Sequence, residues 1–149
     1  MDKTLEPVSR LRVILAEDNA MMREKVIMLL EPEFEVVGAV SDGAALIEAA
    51  LDLDPDIAVV DISMPRMSGI EAVRKLKSNG SRMLVVFLTV YDDSDFVRAA
   101  FDSGASAYVV KSRMVTDLLT AVRGAINGQA FISPGLVLNE TEAAGRVKE

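Results

Sequence analysis

Five short apolar runs punctuate the chain, and the stretches between them carry apolar residues at helical spacing. The runs are LRVILA (11–16), EVVGAV (35–40), DIAVVD (56–61), MLVVFLT (83–89) and AYVV (107–110). Between and after them fall Met22, Val26, Leu29 and Leu30; Leu46, Ile47, Ala50 and Leu51; Val73 and Leu76 within 70–78; Val97, Ala100 and Phe101 within 93–103; and Val115, Leu118, Leu119, Val122 and Ile126. Gly104 supplies a helix stop. Spacings of three and four predict helices, and short unbroken apolar runs predict buried strands. Strands that alternate with helices require right-handed crossovers and a parallel sheet. The central runs lack polar alternation, as strands do when helices cover both faces. The expected fold is one doubly wound α/β domain over residues 11–128, after a lead-in at 1–10. Residues 129–149 (QAFISPGLVLNETEAAGRVKE) break the alternation and read as a linker-like tail or a loosely docked extension, with no sixth strand.

A chain of 149 residues can bury one sizeable core. No apolar run approaches the roughly 18 residues of a membrane span. The opening MDKTLEPVSRLR has no apolar core of a signal peptide, so a cytoplasmic location is expected. The chain has neither cysteine nor histidine. This excludes disulfides, thiolate and imidazole metal sites, and Ser-His or Cys-His nucleophile pairs. A net charge of -7 argues against nucleic-acid binding by this domain itself. Carboxylates, hydroxyls, lysines and backbone remain to carry chemistry.

In open parallel sheets, ligands bind at the carboxyl ends of the strands. Glu17 and Asp18 follow the first run, Asp61 ends the third, Thr89 ends the fourth and Lys111 follows the fifth. If the first and third strands are neighbours, the three carboxylates converge and repel one another. Mg²⁺ removes that penalty, since it prefers oxygen ligands and keeps several waters on an open rim. Lysine, hydroxyl and Mg²⁺ together make a receptor for a phosphoryl group, and a carboxylate can accept that group as an acyl phosphate. Taken singly, each residue has a plainer reading. Asp61 could be a turn acid, Asp18 or Asn19 a helix cap, Thr89 a strand terminator and Lys111 a solvated lysine. Asp54, Asp56, Asp92, Asp93 and Asp95 keep such readings. It is the conjunction of five such residues at four strand ends that favours a phosphoacceptor site centred on Asp61.

This pattern resembles the receiver domain of two-component response regulators. The likeness rests on Glu17-Asp18, on Asp61 followed by Met64-Pro65 and Gly69, on Thr89 after LVVFL, and on Tyr108 three residues before Lys111. It covers about residues 12–133, and GASAYVVKSRMVTDLLTAVRGAINGQAFISP is similar to the NarL/FixJ (LuxR-type) subfamily in particular. The resemblance implies a flavodoxin-like (βα)5 fold with strand order 2-1-3-4-5. It implies that Asp61 takes phosphoryl from a sensor histidine kinase. Asp18, Asp61 and the backbone carbonyl of Ser63 would bind Mg²⁺, with Glu17 acting through water. Lys111 would pair with the phosphoryl group, Thr89 would hydrogen-bond it, and Tyr108 would follow inward. The surface of the fourth helix, fifth strand and fifth helix would then change, with homodimerisation as the natural output. DNA would be bound only through a helix-turn-helix domain of a longer parent. The alternative is a stand-alone or phosphorylation-independent receiver acting as a protein-interaction module.

Two residues depart from the common pattern. Ser112 replaces a frequent proline after the lysine, and Val90 stands where a small residue is frequent. Val90 and Ser63 flank the expected phosphoryl position and would modulate access. Valine is expected to slow attack by water and small donors; an unchanged dephosphorylation half-life in Val90→Ala would refute this. Two other classes fit less well. A dehalogenase-type phosphatase needs an acid two residues after the nucleophile, where Ser63 stands. A flavin carrier needs a glycine- and hydroxyl-rich phosphate loop, where EDNAMMRE puts two acids.

Overall fold

A computed structural model describes residues 10–136. Most of the expected lead-in and the end of the expected tail, residues 1–9 and 137–149, lie outside the described residues. One parallel sheet has the order β2-β1-β3-β4-β5-β6. Its strands are β1 (Arg12–Ala16), β2 (Glu35–Val40), β3 (Ile57–Val60), β4 (Leu84–Thr89), β5 (Ala107–Val110) and β6 (Phe131–Ile132). The helices are α1 (Ala20–Leu30), α2 (Gly43–Leu53), α3 (Gly69–Ser78), α4 (Ser94–Asp102) and α5 (Met114–Ile126), with a 3-10 turn at Lys111–Arg113. The order of the first five strands is the expected one. Among the described residues, no helix is long and apolar enough to cross a membrane.

Alternation along each strand divides the interior into two layers. Ile14, Ala58, Val60, Phe87 and Tyr108 face α2, α3 and α4, where they meet Leu46, Val73, Leu76 and Val97. Val13, Leu15, Val59, Val86 and Leu88 face α1 and α5, where they meet Val26, Leu30, Leu118 and Val122. Short polar residues start the helices. Asn19, Asp42, Ser68 and Asp93 each accept a bond from the backbone of the first turn. Asn19, and not Asp18, caps α1, so the Asp18 carboxylate is left to the rim.

Two expectations need correction. The sheet has a sixth strand, which the sequence reading denied. After α5 the chain reverses at Gly128, whose φ of 76° favours glycine, and Gln129 N–H donates to the Gly124 carbonyl at 2.8 Å. Phe131 and Ile132 then pair with Ala107 and Tyr108. A two-residue strand is too short to show periodicity, and its pairing is fixed by the turn. Second, the buried stripe of α5 is Met114, Asp117, Leu118, Ala121, Val122 and Ala125, while Val115 and Ile126 are exposed. Leu51 is likewise exposed on α2. The sequence reading favoured large aliphatics, but close packing against the sheet selects alanines there.

Candidate functional site

Register brings the acids together before any side chain is considered. Ala16 pairs with Val60, so the residues after β1 and β3 are neighbours. The Asp61 amide donates to the Ala16 carbonyl and the Glu17 amide to the Val40 carbonyl, both at 2.9 Å. Both acids are therefore anchored through the main chain, and both are buried, whereas Asp18 is exposed. Carboxylate oxygens of Glu17, Asp18 and Asp61 all lie within 4.8 Å of one another.

Lys111 reaches across from the end of β5. Its Nζ donates to Asp61 Oδ2 at 3.0 Å and lies 2.8 Å from Glu17 Oε1. The Asn19 amide donates to Glu17 Oε2 at 3.0 Å. Glu17 Oε1 is buried, and its one partner there is the Lys111 ammonium, in an ion pair. Burial pushes the Glu17 carboxyl above its ordinary range, and the nearby Asp61 adds to this against the opposing pull of Lys111 and Asn19. For Lys111, burial works toward a lower value, but its bonds to Glu17 and Asp61 prevail and hold it above the ordinary lysine range. One lysine thus contacts two of three converging carboxylates, with Asp18 beside them. A hard cation with oxygen ligands fits this donor set.

The loop at 63–68 forms another wall. The Ser63 amide donates to Asp61 Oδ1 at 3.3 Å. The Gly69 amide closes the loop on the Ile62 carbonyl at 2.8 Å. A Cβ at Gly69 would stand 2.1 Å from the Asp61 carbonyl oxygen, so only glycine permits this approach. Arg66 Nε donates to Asp42 Oδ2 at 3.1 Å and ties the loop to the start of α2.

Thr89 and Tyr108 meet through a third residue. The Thr89 hydroxyl accepts from the Tyr91 amide at 3.3 Å, and the Tyr108 hydroxyl donates to the Tyr91 carbonyl at 2.7 Å. The Tyr91 ring stacks on Phe96 with centroids 4.1 Å apart. Thr89 and Tyr108 are both fully buried, while Val90 is exposed on the rim. Burial, with Asp93 and Asp92 nearby, pushes the Tyr108 hydroxyl above the ordinary phenol range. The structure therefore brings Glu17, Asp18, Asp61, Ser63 and Lys111 together, and it links Thr89 to Tyr108 beside them. The sequence reading missed Tyr91, whose part is played by its backbone and so leaves no side-chain signal.

A family model described as the response regulator receiver domain matches residues 13–123. The chain belongs to this family. Among its relatives, the receiver is 33% identical over 133 residues to the transcriptional regulatory protein DegU of Brevibacillus brevis, covering 88% of this chain and 56% of that protein. It is 36% identical over 124 residues to the nitrate/nitrite response regulator NarP of Escherichia coli, covering 82% and 58%. The receiver thus spans somewhat more than half the length of these curated relatives. A LuxR-family response regulator from an Aurantimonas species superposes with a TM-score of 0.83 at 30% identity, covering 95% of this chain and all of that one. The isolated receiver of Salmonella RcsB, solved with phosphomimetic BeF3⁻, superposes with a TM-score of 0.79 at 26% identity, covering 86% and 96%.

Proposed function

We propose that this receiver is a phosphorylation-activated switch of a two-component system, with Asp61 as phosphoacceptor. The observation that carries the reading is the acid cluster at the rim, in which oxygens of Glu17, Asp18 and Asp61 lie within 4.8 Å of one another and Lys111 contacts two of the three, Glu17 and Asp61. Asp18, Asp61 and the Ser63 carbonyl would hold Mg²⁺, with Glu17 acting through water. The ion would supply charge neutralisation for an anionic phosphoryl donor. The Asp61 carboxylate attacks the phosphorus of a phosphohistidine on a sensor kinase. A P–O bond forms, the P–N bond breaks, and the released imidazole takes a proton. Lys111 then pairs with phosphoryl oxygens, as does the Thr89 hydroxyl once it leaves the Tyr91 amide. Tyr91 also holds the Tyr108 hydroxyl, so a move of Thr89 reaches Tyr108 and the surface of α4, β5 and α5. Only a few kcal/mol of differential binding is needed to change which arrangement dominates.

The domain works as a phosphoacceptor and not as a turnover enzyme. It resides in the cytoplasm, where its kinase partner presents phosphohistidine. Its output is homodimerisation and, in a longer parent, transcription control through a DNA-binding domain beyond residues 11–128 and the linker after them. Support comes from DegU, described as a transcriptional regulatory protein, from NarP, described as a response regulator, and from the RcsB receiver solved with a phosphomimetic. The test is intact mass after incubation with acetyl phosphate and Mg²⁺. One phosphoryl group is expected, and none in Asp61→Asn or without the metal. Equal incorporation in Asp61→Asn would refute the assignment.

A further inference from the structure

The unexpected sixth strand ends in a buried clasp. Ser133 follows β6, and only 1% of it is exposed. Its amide donates to the Tyr108 carbonyl at 3.0 Å. Its hydroxyl accepts from the Val110 amide at 3.2 Å and donates to Asp117 Oδ2 at 2.8 Å. Asp117 sits on the inner face of α5 and also accepts from Arg113, with Nε at 2.8 Å and Nη2 at 3.2 Å. Arg113 closes the 3-10 turn that Lys111 opens. Beyond the clasp, Pro134, Gly135 and Leu136 join Val90, Asp92 and Lys111 in lining a cleft of about 240 Å³ beside the phosphoacceptor rim.

Two bonds of the clasp fall on β5, at Tyr108 and Val110, and the third reaches Asp117 on α5, which in turn holds Arg113 of the turn that Lys111 opens. We propose that residues 131–136 form a strap whose docking is coupled to the phosphoryl state of Asp61, with Ser133 and Asp117 as positioning residues for Lys111. The proposal rests on the reading of Asp61 as phosphoacceptor. A docked strap fixes the Tyr108 carbonyl, the Val110 amide and, through Asp117, the Arg113 end of the turn. Lys111 is then held from both sides and has fewer positions to lose when a phosphoryl group engages it. That lowers the ordering cost of binding and favours the phosphoryl-bearing arrangement. Coupling between sites is reciprocal, so an occupied Asp61 site tightens the strap. A clasp that merely closes the fold would stabilise the domain equally in both states and leave the two sites independent.

The test is hydrogen exchange of the whole chain by mass spectrometry, with and without Mg²⁺ and beryllofluoride. Wild type, Ser133→Ala and Asp117→Asn are compared. Peptides over Asp61 and Ser63, which make no hydrogen bond to the strap, report beryllofluoride binding separately from it. In wild type, binding is expected to slow exchange at 129–136 by threefold or more. Each variant is expected to speed exchange there and to weaken beryllofluoride affinity by about fivefold. Asp117→Asn keeps the size of the side chain, so it serves if Ser133→Ala fails to fold. The coupling is overturned if beryllofluoride binds and the strap does not respond, or if a variant with a released strap binds it with unchanged affinity. If wild type binds none, the phosphoacceptor reading falls and takes the strap coupling with it.

Discussion

Lys111 and Arg113 stand at the two ends of one 3-10 turn, and each faces buried acid, but their surroundings differ in completeness. Arg113 meets a single carboxylate. Both Asp117 oxygens accept from the guanidinium, and the Ser133 hydroxyl adds a further bond. Burial alone would raise the Asp117 carboxyl, yet Arg113 and Ser133 outweigh it and hold Asp117 below the ordinary range. Lys111 meets Glu17 and Asp61 with Asp18 beside them, and there burial wins, so the Glu17 carboxyl is pushed up. A buried pair that is fully matched holds the fold in place. A buried cluster short of positive charge has bonds left to make, and perturbed groups of that kind concentrate at functional sites.

The contrast can be tested by adding or removing charge on either side. The largest expected effect is from Mg²⁺, which would bind the folded acid cluster and not the unfolded chain. At a hundredfold excess over its Kd it adds about 2.7 kcal/mol to stability. Thermal melting should show this in wild type and show little of it in Asp18→Asn.

Asp117→Asn removes a satisfied charge and is expected to cost about 2 kcal/mol, in the range of hydrogen bonds to charged groups. Chemical denaturation measures it, and a variant as stable as wild type would contradict the account of a closed clasp. The pH dependence follows from the sign of the shift. The folded Asp117 carboxyl titrates below its ordinary value of 3.8, so its stabilisation is complete above that value. It is lost as pH falls through the lower, folded value. Asp117→Asn should therefore show a shallower loss of stability than wild type as pH falls below about 4.

The smallest effect has the opposite sign. Without metal, Asp18→Asn removes one of three mutually repelling carboxylates and should stabilise the domain by about 0.5 kcal/mol. That corresponds to a rise in Tm of about 1 to 2 °C. A lower Tm would mean that Asp18 belongs to the closed kind of pair after all.

Much of the site was legible because it depends on side chains at the ends of strands, and strand ends show in the sequence. Glu17, Asp18, Asp61, Thr89 and Lys111 each follow an apolar run, and strand register alone brings the acids together. What the sequence concealed depends on backbone or on short elements. Tyr91 joins Thr89 to Tyr108 through its amide and carbonyl. The pairing of Phe131 and Ile132 is imposed by the Gly128 turn and by bonds to Ser133. Asp117 did leave a trace, as a lone acid one residue before Leu118 on the face that packs against the sheet. The stripe drawn through Val115 and Ile126 passed beside it, because it ranked side chains by size and not by fit.

Of the converging acids, Asp61 is the one proposed to take the phosphoryl group. Borohydride reduction of the chain after phosphotransfer from a donor converts an aspartyl phosphate to homoserine, which peptide mass spectrometry can place. Homoserine is expected at Asp61 alone, formed only with Mg²⁺ present. Reduction product at Asp18, or no product in a chain shown to bind Mg²⁺, would contradict it.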